Sequence, residues 1–147
     1  MITAATSLFL VLGLQGTTPT AKVTISSIKK DVVTGSVTVA LPEGWHAYQN
    51  PPKSEYENPL TFSTKTKGFK LSKISYPAGK AMKSSGNDSM VYEGEVKIPF
   101  TGKIDKTLKP AKGAYTFEFE VAYQICNDST CLPPSTLTTK VTAKVSK

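Results

Sequence analysis

The stretch Ala114–Ile125, AYTFEFEVAYQI, constrains the fold more than any other. Tyr115, Phe117, Phe119, Val121 and Tyr123 alternate with Thr116, Glu118, Glu120 and Ala122. Residues two apart share one face of a strand, whereas a helix would scatter these aromatics around its axis. A segment with five large side chains on one face must cover them with a second layer.

The same period recurs along the chain. Val33, Val37, Val39 and Leu41 share a face, and Pro42-Glu43-Gly44 ends that run. Val23, Ile25 and Ser27 form a weaker alternation before it. LTFSTKT and, after Gly68, FKLSKISY read as two further strands. STLTTKVTAKV closes the series, with Leu137, Thr139, Val141, Ala143 and Val145 inward. SMVYEGEVKIPF alternates only if its register breaks at Gly94, which predicts a bulge there. Two segments read as irregular. WHAYQNPPKSEYENP carries prolines at 51, 52 and 59 that remove backbone donors, so it is no central strand, and Trp45 and Tyr48 give it mass to pack on the body. Pro77–Asp88 is glycine-, lysine- and serine-rich and reads as a loop. Seven to nine strands and no helix of useful length predict an all-β chain, an immunoglobulin-like β-sandwich. One domain is expected over residues 22–147.

Residues 1–21 lack charge, and Leu8–Leu14 has the length of a secretory apolar core. This predicts an export signal, although its first residues carry no lysine and no clean small-x-small cleavage site follows. A retained anchor and a buried N-terminal segment are the rivals. The net charge of +7 comes from lysines without a single arginine. Bidentate forks onto guanine or phosphate are therefore missing, which argues against nucleic acid. His46 is the sole histidine. A tetrahedral zinc site would need a carboxylate or water as well. Copper(I) through Cys126, Cys131, His46 and Met82 or Met90 is chemically allowed, but no cofactor, metal or small-molecule substrate is expected.

The two cysteines, Cys126 and Cys131, stand in YQICNDSTCLPP. Asn127, Asp128, Ser129 and Thr130 between them are turn formers, and Pro133-Pro134 stiffens the exit. Closing so small a ring removes only about 2 kcal/mol of chain entropy, against about 4.7 kcal/mol for a hundred-residue loop. That is a poor staple and a plausible exchange centre. Asp128 by its charge would raise a thiol pKa rather than lower it. His46 has two readings, a group that tunes a thiolate and a surface histidine of a proline-rich loop. The residues alone leave two functions open. One is thiol–disulfide exchange. The other is an exported immunoglobulin-like binding or structural module whose single disulfide is only a staple.

VAYQICNDSTCLPPST resembles the cysteine motif of the N-terminal periplasmic domain of the thiol:disulfide interchange protein DsbD family. LPEGWHAYQNPP and MVYEGEVKIPF resemble further segments of that family, in the same order. The resemblance implies an immunoglobulin-like domain in the periplasm, acting as a protein-disulfide reductase or exchange component. Its cysteine pair would take electrons from a membrane partner and pass them to periplasmic thioredoxin-fold proteins, including those of cytochrome c biogenesis. By the same resemblance Cys126 and Cys131 are the exchanging pair, with Cys126 forming the mixed disulfide. Tyr48 matches an aromatic beside the pair, and His46 stands where the family often has another. Tyr123 ends the strand that carries Cys126. Lys80–Met90 corresponds to a cap that shields the cysteines, with Met82 as its apolar contact. The chain departs in three ways. Its Cys-x4-Cys spacing is one residue shorter than in the best-known member. Its cap has no phenylalanine. No transmembrane portion follows Lys147, so the membrane reductant would act in trans.

Overall fold

Alternation becomes a sandwich because two inward faces meet. The computed structural model describes residues 16–84 and 87–146. They form eleven strands: β1 Thr20–Lys29, β2 Val32–Ala40, β3 His46–Tyr48, β4 Thr61–Thr64, β5 Phe69–Ile74, β6 Lys80–Ser84, β7 Asn87–Tyr92, β8 Glu95–Ile104, β9 Ala114–Tyr123, β10 Ile125–Cys126 and β11 Ser135–Lys144. No helix occurs among the described residues. The strands pair in three sheets with orders β1-β2-β8-β5, β11-β9-β4 and β10-β3-β7-β6, and every strand pair is antiparallel.

The first two sheets make the core. Val33, Val37 and Val39 on β2, Ile98 and Phe100 on β8, and Phe117, Phe119 and Val121 on β9 are buried as their period requires. Aromatic rings lock the layers together. Phe62 of β4 lies 5.1 Å from Phe100 of β8, and Phe69 of β5 lies 4.8 Å from Phe117 of β9. Edge-to-face and offset pairs of this kind add to their area burial. β11 turns Leu137, Val141 and Ala143 against this core, half-buried, while Val145 is exposed rather than inward.

Three expectations are corrected by the topology. The break at Gly94 is not a bulge within one strand. β7 and β8 belong to different sheets, and the chain crosses between them at Glu93-Gly94, where Gly94 has φ 65° and its carbonyl accepts the Leu41 N–H. The register shifts instead in β5, between Leu71 and Lys73, and in β1, between Ile25 and Ser27, where it moves the buried face from Val23 to Ile28. Pro77–Asp88 is not all loop, since it holds β6 and the start of β7. β6 is an edge strand with one neighbour, and such strands carry lysine in place of apolar alternation. The irregular stretch likewise contains β3, three residues that end before the prolines and sit centrally in their sheet. β1 begins at Thr20, so Thr20 and Ala21 of the expected leader are strand; its residues 1–15 lie outside the described residues.

Gly35 marks the tightest approach in the first sheet. A Cβ there would stand 2.5 Å from the Thr24 carbonyl oxygen and 2.9 Å from the Phe100 ring. The carbonyl belongs to the neighbouring strand and cannot retreat without disturbing the ladder. Gly35→Ala should therefore lower stability by about 1–3 kcal/mol, read as a reduced urea midpoint.

Candidate functional site

The third sheet has an inner face and an outer face. Ala47, Tyr92 and Ile125 point inward and join the core. Side chains at neighbouring positions point the other way. The outer face therefore presents His46 and Tyr48 of β3, Val91 of β7 and Cys126 of β10. Cys126 pairs directly with His46, and Tyr48 with Val91. Directly opposed residues in an antiparallel pair lie on one face with Cβ atoms about 4.5–5.5 Å apart.

The cysteines close a hairpin at the edge of this sheet. After β9 the chain leaves one sheet at Gln124 and enters the other as β10. Gln124 is held on both sides. Its side-chain Oε1 accepts from Asn58 Nδ2 at 2.7 Å, and its Nε2 donates to the Leu132 carbonyl at 3.2 Å. Leu132 N donates to the Ile125 carbonyl and Asn127 N to the Thr130 carbonyl, so Cys131 returns opposite Cys126. Asn127 organises the turn, because its Oδ1 accepts the N–H groups of Ser129 and Thr130 at 2.9 and 2.8 Å. Asparagine at the head of such a turn replaces a backbone acceptor. The disulfide Cys126–Cys131 spans Cα atoms 4.0 Å apart.

The two halves of the disulfide differ in access. Cys126 is 3% exposed, whereas Cys131 is exposed. This is the reverse of what an attacking Cys126 requires. The cause is topological: Cys126 is flanked by His46 and Cys131, while Cys131 ends the row at the sheet edge.

His46 is buried at 5% exposure and is not a surface residue. Its ring meets Tyr48 edge-on with centroids 6.3 Å apart. Burial pushes the imidazole below its ordinary 6.5, and the carboxylates of Glu93 and Asp128 pull it part of the way back. Extending the β3–β7 register by one residue sets Glu93 level with His46. Glu93 also pairs with Lys80 Nζ at 3.4 Å. Across the sheet the order is thus carboxylate, imidazole, buried sulfur, exposed sulfur.

Of the other residues singled out in the sequence, Tyr48 joins this face, half-buried beside His46. Tyr123 does not; it faces inward from β9 and packs half-buried against the core. Met82 shares the outer face but pairs with Ser89 on the outermost strand. β7 and β3 intervene, which puts β6 about 14 Å from β10 at ordinary strand spacing. Met82 is therefore no neighbour of Cys126 within the sheet. The cap's tip at residues 85–86 lies outside the described residues. Glu93 was missed as a site residue because its level with His46 depends on pairing, whereas the turn role read for Asn127 is the one its side chain plays. No cluster of three or more metal-ligating side chains occurs among the described residues.

A tyrosine pair ties the surrounding loops to the body. Tyr92 Oη donates to the Pro77 carbonyl at 2.7 Å and accepts the Asn50 N–H at 3.2 Å. Tyr76 Oη accepts the Phe62 N–H at 2.8 Å. Burial raises both phenols above their ordinary 10.0. The unfolded chain then loses these protons first as pH rises. Stability present below pH 10 should fall above it, by about 1.4 kcal/mol per pH unit for each tyrosine until the folded values are reached. Urea titrations from pH 9 to 11 check this, and Tyr76→Phe should flatten the slope.

Three comparisons bear on this geometry. Residues 15–143 match the family described as thiol:disulfide interchange protein DsbD, N-terminal. The crystal structure of the N-terminal periplasmic domain of ScsB from Proteus mirabilis superposes with a TM-score of 0.59 at 18% identity, covering 82% of this chain and 45% of that one. The chain thus spans under half the length of that relative. The DsbD N-terminal domain of Neisseria meningitidis, solved in complex with the PilB N-terminal domain, gives 0.50 at 16% identity, covering 82% and 80%. No curated protein matches the chain. At these identities the structures speak for the immunoglobulin-like sandwich alone.

Proposed function

As the chain belongs to the family of the DsbD N-terminal domain, we propose that it relays electrons by thiol–disulfide exchange between a membrane reductant and thioredoxin-fold proteins of the periplasm. The observation that carries this reading is the unequal exposure of one small disulfide at a sheet edge. A partner thiolate can attack the Cys131 sulfur along the open edge. Cys126 leaves as the thiolate, and a mixed disulfide through Cys131 results. The partner's second thiol then attacks its own sulfur in that bond, leaving both cysteines of this chain reduced. Delivery runs in reverse: Cys131 attacks an oxidised partner and Cys126 resolves.

The backbone of the hairpin stays in place through these steps, since its hydrogen bonds do not use the sulfurs. Periplasmic residence is the setting in which such a pair meets oxidised partners. The complex in Neisseria meningitidis supports partners of the PilB kind for that relative, and the lysine-rich surface favours partners with an acidic docking face.

Mixing the reduced protein with an oxidised thioredoxin-fold domain tests the reading. Transfer of the disulfide without denaturant is expected, followed by mass. If the cysteines react only after unfolding, the pair is a staple and the chain a binding or structural module.

A further inference from the structure

We propose that His46 is the proton acceptor for Cys126, the resolving cysteine, and that Glu93 positions its charge. This rests on the exchange reading above.

The argument begins with the problem that Cys126 poses. Resolution requires a thiolate, yet burial in apolar surroundings raises a thiol pKa. Cys126 is 3% exposed, so bulk water is a poor base for it. One titratable ring lies beside it. His46 is its direct partner across β3 and β10, on the same face and also buried. Neutral imidazole can take a proton, and its reduced affinity keeps it neutral near pH 7. The groups facing it are Asp128 from the hairpin, Glu93 just after β7 and Tyr48 on its own strand, with Lys80 pairing to Glu93 from β6. The two carboxylates stabilise the imidazolium once it forms. A nucleophile, a base beside it and a third group beyond the base is the arrangement that activates buried nucleophiles generally.

The step balances as follows. In the mixed disulfide Cys131 is bonded to the partner's sulfur. The Cys126 thiol gives its proton to His46, and its sulfur attacks the Cys131 sulfur. The Cys126–Cys131 bond forms, the partner's sulfur leaves with the electron pair as thiolate, and the imidazolium returns the proton to solvent. The two cysteines are oxidised and the partner disulfide is reduced.

Dithiobis(nitrobenzoate) separates the steps, since each attack releases one coloured thiolate. The first release reports Cys131 and the second reports resolution by Cys126. In His46→Phe and His46→Gln the rate ratio of second to first release should fall at least about tenfold. The pH profile of the second step should lose its inflection below 6.5. Glu93→Gln alters an exposed residue, and it should move that inflection to lower pH by removing a charge that favours the imidazolium. Superimposable ratios and profiles in all four proteins would overturn the role of His46 and leave exchange standing. Absence of a first release from the folded protein would remove the exchange reading, and this inference with it.

Discussion

Cys131→Ser is expected to bring capture of a partner disulfide down to background, whereas Cys126→Ser is expected to accumulate the mixed disulfide. The asymmetry follows from access. Cys131 ends the row at the sheet edge and is exposed, while Cys126 is 3% exposed between His46 and Cys131. Removing Cys131 takes away the sulfur a partner can reach. Removing Cys126 leaves that sulfur in place but deletes the one that would release the partner. Each variant loses a six-residue ring worth about 2 kcal/mol of chain entropy. A domain of this size has about 5–15 kcal/mol in hand, so both should fold. Non-reducing mass analysis after mixing with an oxidised thioredoxin-fold domain reads the result. Accumulation in Cys131→Ser instead would mean that Cys126 is the attacked sulfur.

The second large effect lies in the core. Phe119→Ala should destabilise the domain by about 3–5 kcal/mol. Phe119 has no exposed surface. Its ring lies 5.0 Å from Phe62, 5.4 Å from Phe100 and 6.1 Å from Phe69, so its loss opens a cavity between both layers of the sandwich. The urea midpoint should fall with the slope unchanged. A change below about 1 kcal/mol would mean that the neighbouring rings collapse into the space.

Much of the sandwich could be read from residues alone. The alternation in β9 and β2 works because each strand has one wet and one buried face, so the pattern records the environment directly. β6 was missed because an edge strand with one neighbour needs no such pattern. The change of sheet at Gly94 looked like a bulge because both shift the buried face by one residue, and only pairing tells them apart. At the site, Cys126 and Cys131 were legible because cysteine is scarce here and the residues between them are turn formers. The unequal exposure of the two sulfurs was not, since exposure at a sheet edge depends on which strand pairs with which. His46 illustrates the same limit. A histidine next to a proline-rich loop suggests surface, yet the strand that begins at His46 is central, and pairing with β10 buries the ring beside Cys126.

The reduction potential of Cys126–Cys131 in the folded protein tests the exchange reading most directly. Equilibration in graded dithiol buffers, with free thiols counted by mass, should place it between about -180 and -270 mV, among the proteins that carry disulfides. A potential well below about -300 mV, with thiols reached only on unfolding, would contradict it and make the disulfide a staple.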